Sequence, residues 1–469
     1  MKTILSILTL LLLTFATCRA DVIEISSAAQ LQSALSTTPP EGTEFRLIND
    51  IAPNMEIKIK SNNYSLNLNN HIITCPINTT ALRIYGTFNI YGPGKIIRTK
   101  SEDIKFTIVL NSENSQSAIL NIYGGDICYT SQDGVTSNTI SVPENNILNI
   151  YGGTISSAMA QNGTINNEGT VNIYGGTIKN TSNSTSATAC RAIYTSSKGT
   201  INIYGGEISS SNGYAIFNNK GQLNISNAAK ITGDINKYNT YLLSDDAPLE
   251  IKSGFDVDRI EYNRGASNTF GTVCLPFAPT GPEGITYYTL KDIDTQNGLM
   301  TFTEVLNPQA NTPYIYCTST GTYSAQADNI ALQPTSPSDM PQTASGNWML
   351  KGVYQRTSVF DSESDPDYAT TSSAKTVEPN AYYIKNNAFS HVNGYFTTKP
   401  FRAFITASGI QSPNFGIALS DLTDAQSAAA EDAQPVAIYD TNGRSRTSLA
   451  KGLNIVRLSN GKSQTILVE

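Results

Sequence analysis

Leu120-Asn121-Ile122-Tyr123-Gly124-Gly125 returns as Leu148-Asn149-Ile150-Tyr151-Gly152-Gly153, as Val171-Asn172-Ile173-Tyr174-Gly175-Gly176 and as Ile201-Asn202-Ile203-Tyr204-Gly205-Gly206. Two residues past the second glycine an isoleucine follows each time: Ile127, Ile155, Ile178 and Ile208. An imperfect copy, Phe88-Asn89-Ile90-Tyr91-Gly92-Pro93, stands upstream, and a worn one, Leu223-Asn224-Ile225-Ser226, downstream. The central isoleucines at 90, 122, 150, 173, 203 and 225 are spaced 32, 28, 23, 30 and 22 residues apart. A phrase repeated at such intervals marks stacked units, each too small to bury its own apolar side.

Within the phrase apolar and polar residues alternate. Period two is a strand, with Leu and Ile on one face and Asn and Tyr on the other. Gly-Gly then turns the chain, because glycine accepts positive φ and close backbone approach. The Thr-Ile or Glu-Ile that follows opens a second strand, and runs such as Ile165–Thr170 and Ala215–Asn219 allow a third. Three short strands per repeat, wound into one coil, put successive rungs about 4.8 Å apart and stack isoleucine on isoleucine through an apolar interior. The repeats resemble the right-handed parallel β-helices of the pectate-lyase-like superfamily over residues 21–250. That fold hosts lyases, hydrolases and inert stalks alike, so the resemblance implies architecture and leaves chemistry open.

The chain has 469 residues, 39% of them hydrophobic and 15% charged, enough for two or three domains with sizeable cores. The formal charge is −7 with no basic run, which argues against nucleic acid as a partner. It also repels acidic polysaccharide on average, unless a local basic patch overrides the mean. Lys2, the apolar run Ile4–Ala16 and Cys18-Arg19-Ala20 read as a secretory signal peptide over residues 1–20, cleaved after Ala20. A lipid anchor on Cys18 is a second reading, weakened by Thr17 in front of it. No transmembrane segment is read elsewhere. Cys75, Cys128, Cys190, Cys274 and Cys317 are too few for a disulfide framework in so long a chain and read as small apolar residues.

Asp21–Ile25 reads as a first strand. Ser26 or Ser27 caps a short helix with Leu31 and Leu35 on one face, which closes the open end of the coil. Leu66–Ile73 is similar to the first rung of β-helices in that superfamily, with His71 structural. Regular rungs are expected from about Ala81 to Ile231. Polar stretches at Ser112–Ser117, Ser131–Asn138, Ala158–Gly163 and Asn180–Ala189 interrupt them; if all leave at one corner they build one side of the molecule, and loops are where function usually sits.

From about Leu249 the repeat vanishes and turns come every 8 to 12 residues. Strands are expected at Gly271–Phe277, Thr286–Leu290, Met300–Thr303, Pro313–Tyr316, Trp348–Tyr354, Ala381–Ile384 and Phe401–Ile405, which makes residues 251–420 an antiparallel β-sandwich. The pair Cys274-Leu275-Pro276-Phe277 and Phe401-Arg402-Ala403-Phe404 resembles modules in surface proteins of Bacteroidetes. Residues 421–434 form a linker rich in Ala, Asp and Gln. The tail, 435–469, carries Tyr439-Asp440-Thr441-Asn442-Gly443-Arg444, a Leu449-x-x-Gly452 turn, Ile455-Val456, an Asn460-Gly461 hairpin and a last strand Thr465–Val468. It resembles the sorting domain of the type IX (Por) secretion system, with two departures: Asn454 where that family has Tyr, and a terminal Glu469. Thirty-five residues are too few for an independent core, so the tail is expected to pack on the sandwich with Ile438, Leu449, Ile455 and Ile466 buried. The fold class is thus all-β: a right-handed parallel β-helix, an antiparallel β-sandwich region and a small C-terminal β tail.

No catalytic and no metal-binding residue is assigned, and no cofactor is called for. The chain has only two histidines, His71 and His391, neither in a Ser or Cys context for a triad. Two ligands, His71 and Cys75, are not a zinc set. Asp361, Glu363, Asp365 and Asp367 alternate as in a calcium loop but lack its glycine and its twelfth-position Glu, so an exposed acidic loop is expected. Asp126 and Glu207 follow their Gly-Gly corners, yet three rungs part them by roughly 14 Å, too far for a carboxylate pair. Lys179 is the cation expected near Glu207. The binding candidates are Tyr91, Tyr123, Tyr151, Tyr174 and Tyr204, which share one outward register and would form an aromatic ladder about 20 Å long. Such a ladder either binds sugar rings or a partner, or stacks on itself for stability alone. The expected role is binding or adhesion without chemistry, toward polysaccharide or a host-surface glycan, by a secreted or cell-surface protein. A β-helix polysaccharide lyase or glycoside hydrolase is the alternative. Whether the chain is an enzyme is left open, with the residues weighing against it, and no oligomeric state is read.

Overall fold

The computed structural model describes residues 21–469 apart from 61, 76–78, 100–105, 112–115, 131–136, 159–162, 185–189, 266–268, 281–283, 320, 408–413, 421–434, 441–443, 447, 459–462 and 469. The expected signal peptide, the linker and much of the polar stretches between rungs lie outside the described residues. Two compact units emerge. One runs to Ile225 and adds Ala229–Lys237; the other comprises Ser226–Ala228 and Tyr238–Glu469.

The first unit is a parallel β-helix with three ladders. The phrase builds the first: Val22–Ile25, Glu44–Leu47, Asn62–Asn67, Thr87–Tyr91, Ile119–Ile122, Ile147–Ile150, Thr170–Ile173, Thr200–Ile203 and Gln222–Ser226 pair in that order. The strands after the glycine corner build the second, from Ile72–Cys75 through Lys95–Arg98, Asp126–Tyr129, Thr154–Ser157 and Thr177–Asn180 to the start of Glu207–Asn218. The third runs from Ile57–Ile59 through Leu82–Ile84, Phe106–Leu110, Asn138–Val142, Gly163–Asn167 and Arg191–Thr195 to the end of that same long strand. Register is strict: Ile122 pairs with Ile150, Ile150 with Ile173, Ile173 with Ile203 and Ile203 with Ile225. All of these isoleucines are buried, none more than 2% exposed. Each contributes roughly 1.5–3 kcal/mol of apolar burial, and parallel pairing makes every rung depend on its neighbours for it.

At the Gly152, Gly175 and Gly205 corners both glycines are required, for different reasons, whereas a Cβ on Gly124 would find its nearest neighbour at 3.5 Å. The second holds a left-handed backbone, with φ of +88° at Gly125, +81° at Gly153, +82° at Gly176 and +86° at Gly206. The first does not, but a Cβ on Gly175 would lie 2.6 Å from the Tyr151 carbonyl oxygen, and one on Gly152 would meet Tyr123 at the same distance. The rungs stack so closely here that no side chain fits.

Two expectations need correcting. Rungs begin some forty residues before Ala81: Phe45 pairs with Leu66 and Tyr64 with Phe88, so the coil is already turning without any Gly-Gly signal. Nor is the interior apolar throughout. In the second ladder the innermost column reads Cys75, Arg98, Tyr129, Ser157, Asn180 and Ser210, all buried. Arg98 Nε donates to Thr79 O at 2.9 Å and its guanidinium lies over the Tyr129 ring at 5.3 Å. Burial lowers its basicity, and the tyrosine and Cys75 partly offset that. At the N-terminal end Ser27 caps the helix Ala28–Ser36, accepting from Gln30 N at 3.2 Å, and Leu31 is buried beneath it. The strands that flank 131–136, 159–162 and 185–189 belong in each case to the second and third ladders, whereas those flanking 112–115 belong to the third and first. The polar insertions therefore use two connections of the coil.

In the second unit the strands are antiparallel with few exceptions. The main sheet runs Phe270–Leu275, Thr312–Thr318, Ile285–Asp294, Leu299–Val305, Asn414–Ser420, Ala388–His391, Ala381–Lys385, Arg402–Ala407, Trp348–Val353 and Gln342–Ser345. It folds over a core of Phe302, Ile315, Trp348, Tyr382, Phe389 and Phe415, a β-sandwich arrangement. A three-stranded sheet, Ala374–Val377, Thr357–Phe360 and Tyr395–Thr398, closes a smaller core around Val359 and Phe404. The tail joins this unit: Ser463–Val468 pairs antiparallel with Asn414–Ser420, Ile466 opposite Ala418. Its buried residues are not the expected ones. Leu449 is 40% exposed and Ile438, Ile455 and Ile466 are half-buried, while Asn454 and Val456 point inward. The parity is set by Asn454, whose amide donates to Ala450 O and to Gly452 O at 2.8 Å and accepts from Ala450 N at 3.0 Å, clipping the Leu449–Gly452 turn.

Candidate functional site

The outward face of the first ladder carries two columns side by side. Asparagines form one. Nδ2 of Asn121 donates to Oδ1 of Asn89 at 2.9 Å, and the pattern repeats from Asn149 to Asn121, Asn172 to Asn149 and Asn202 to Asn172, each at 2.8 Å. Asn224 continues it to Asn202 at 2.7 Å. Every amide donates toward the N-terminal rung, and each from Asn89 to Asn202 accepts from the next one, while Asn224 accepts from Gln222 on its own strand. Alternation places these asparagines outside, but it gives no hint that one hydrogen-bonded chain runs through all six.

Tyrosines form the second column. The rings of Tyr123, Tyr151, Tyr174 and Tyr204 stack in order, centroids 4.8, 4.9 and 5.1 Å apart and planes within 14° of parallel. The rung spacing imposes this distance, and offset parallel rings are favourable there. All four remain 43–51% exposed. Their faces cover one another, so hydroxyls and ring edges are what reach solvent. Tyr123, the most exposed at 51%, ends the stack.

Tyr91 shares the register but leaves the column. It is half-buried, and its hydroxyl donates to Glu44 two rungs earlier. Burial, the hydrogen bond and the carboxylate charge all push the Tyr91 phenol up. Burial alone would raise the Glu44 carboxyl too, but bonds from Tyr91, Asn67 and Arg46 and the Arg46 charge hold it below its usual value. No sequence spacing announces Glu44 as the residue that draws Tyr91 aside. Within the stack, burial and then the flanking phenols of Tyr151 and Tyr204 raise Tyr174.

Beyond the glycine corner Lys95, Asp126, Thr154, Thr177, Glu207 and Lys230 occupy one column. Lys95 bridges Asp126 at 3.5 Å, and Glu207 is bridged by Lys230 at 3.3 Å rather than by Lys179. His71 Nδ1 lies 3.3 Å from Asp50, on the first turns of the coil. In the acidic stretch Asp361 accepts from Gly394 N and Asp365 from Asp367 N, both at 2.8 Å. Among the described residues no three His, Cys, Asp or Glu side chains gather to hold a metal ion, the five cysteines are free thiols, and no helix is long and apolar enough to cross a membrane.

Comparison with protein-family models, with curated proteins and with solved structures yields no match for this chain.

Proposed function

We propose that this is a secreted or cell-surface protein whose β-helix binds an extended polysaccharide without chemistry, using the face formed by Tyr123, Tyr151, Tyr174 and Tyr204. The stack of four exposed phenols, beside a continuous row of amides, is the observation that carries the reading. The rings repeat every 4.8–5.1 Å along the coil, so an extended glycan lying along it meets the same phenol and amide at each rung. The outer faces of the two end rings, Tyr123 and Tyr204, are where a sugar can stack flat. Such a surface gains through repetition, many weak contacts adding along one ligand. The likenesses to pectate-lyase-like β-helices and, in the tail, to the type IX sorting domain support a surface role. A lyase or hydrolase needs carboxylates free to act together; Asp126 and Glu207 stand three rungs apart, each bridged by a lysine.

The test is retention of the full chain on immobilised neutral and host-type glycans, with products monitored for unsaturated or reducing ends. Wild type is retained without product, and a folded Tyr151→Ala/Tyr174→Ala variant washes through. Equal retention by that variant removes the ladder from binding, and product formation replaces the reading by the enzymatic one.

A further inference from the structure

The second unit holds a cleft of about 310 Å³ whose lining includes Arg264, Tyr316, Tyr383, Phe396, Lys399 and Arg402. Three cationic side chains face it, and no Asp or Glu is among its described lining residues, although the chain as a whole is acidic.

The two arginines are held in place by their surroundings. The Arg264 guanidinium lies over the rings of Tyr316 at 5.0 Å, Tyr323 at 5.1 Å and Tyr262 at 5.7 Å, and Nη2 donates to Thr272 O at 2.7 Å. Gly271 makes room for this: a Cβ there would sit 2.6 Å from Cε1 of Tyr316. Arg402 follows Phe401, a buried residue held at a left-handed φ of +62°. Its Nη1 donates to Tyr262 Oη at 2.7 Å and its Nη2 to Asp245 at 2.6 Å. Arg264 Nη1 lies 3.4 Å from the same phenol oxygen. Two guanidinium groups thus converge on one hydroxyl, which itself donates to Asp245. Burial pushes the Tyr262 phenol well above its ordinary value, so it stays neutral, and among the described residues Asp245 is the carboxylate bonded to it and to Arg402. Among the described residues Arg264 has no carboxylate partner. Lys399 adds a third charge at the rim, 3.2 Å from the exposed Asp246.

The remaining lining differs in character. Tyr383 and Phe396 stack at 4.7 Å and 13°, both half-buried at the edge of the smaller core, while the Thr397 hydroxyl is taken up by Ser358 at 2.8 Å. A planar guanidinium fork with spare donors selects a carboxylate, while a half-buried aromatic pair favours a ring with a C–H face. A bare phosphate or sulfate would answer the charges and leave that pair without a partner.

We infer that this cleft binds a hexuronate, the carboxylated sugar of an acidic polysaccharide, with the carboxylate on Arg264 and Arg402 and the sugar ring against Tyr383 and Phe396. The site lies wholly in the second unit and stands whether or not the tyrosine ladder binds glycan. It is also the local basic patch through which an acidic chain can hold an acidic ligand.

Isothermal titration of the full chain with galacturonate and glucuronate, against galactose, glucose and sodium sulfate at matched ionic strength, tests it. The uronates bind at least tenfold tighter than their neutral counterparts and than sulfate, and added salt weakens them. Arg264→Gln abolishes the heat. Because Arg264 packs over three rings, Lys399→Gln, at an exposed site, is the second variant, and it weakens binding several-fold with an unchanged circular dichroism spectrum. Tyr151→Ala/Tyr174→Ala leaves uronate binding as in wild type. Absence of uronate binding, equal affinity for neutral sugar or sulfate, or full affinity in Lys399→Gln each overturns the assignment.

Discussion

Replacing Asn172 by alanine tests whether the amide column stabilises the coil. The side chain donates to Asn149 and accepts from Asn202, both at 2.8 Å, so alanine removes two hydrogen bonds and leaves one half-buried acceptor and one donor to solvent. At about 1 kcal/mol net for each bond, the loss is about 2 kcal/mol. For a unit of this size that lowers the melting temperature by roughly 4–8 °C. Asn149→Ala should cost the same, for bonds to Asn121 and from Asn172. The double variant is the sharper measurement. It removes three bonds, not four, because the bond between Asn149 and Asn172 is shared, so the two effects fall short of additivity by about 1 kcal/mol. Differential scanning calorimetry of the full chain, following the transition of the β-helix unit, reads all four states of the cycle. Strict additivity within about 0.3 kcal/mol, or single variants that melt with wild type, would refute the claim that these amides act as one chain.

Two further outcomes follow from the corners and from the first rungs. Gly176→Ala forces a Cβ into a backbone at φ +82° and to 2.9 Å from Gly152 C, whereas Gly298→Ala, at φ +65° with its nearest neighbour 3.8 Å away, meets only the conformational cost of about 1–2 kcal/mol. Gly176→Ala should therefore destabilise the more in urea titrations, and equal losses would show that rung contact at the corner is irrelevant. Glu44 has a carboxyl held below its ordinary value, so its contribution is complete above the unfolded value of about 4.3 and disappears as the pH falls through the folded one. Glu44→Gln should flatten the acid limb of the β-helix stability curve below about pH 5; parallel curves for variant and wild type would exclude Glu44 as an acid-sensitive contact.

How much of this the residues announce depends on whether a feature repeats. The isoleucine register, the glycine corners and the outward tyrosines recur, and periodicity exposes them. The early rungs do not repeat in this way: Phe45–Ile48 and Ile57–Ile59 read as strands and Leu66–Ile73 as an entry rung, but Phe45, Leu66 and Tyr64 fill the interior in place of the phrase and no Gly-Gly marks their turns. Departures inside the pattern are also silent. Tyr91 obeys the phrase yet turns to Glu44, 47 positions away in the chain, and Arg98 stands at an interior position where alternation alone forecasts an aliphatic residue. In the tail a half-buried strand reads equally well in either parity until Asn454 is seen to clip its turn. The cleft around Arg264 and Arg402 draws on residues 138 positions apart that meet only through Tyr262, so no local motif foretells it.

The one-way direction of the asparagine column has a consequence for how such a chain can change in length. An insertion or deletion that is not a complete turn would break the handover of amide protons and strand a donor and an acceptor at the scar. A whole turn carrying its own Asn, Tyr and Gly-Gly slots in with every valence satisfied. Growth and shrinkage of this coil are thereby quantised, and natural variants should differ by entire turns while the stretches between ladders vary residue by residue.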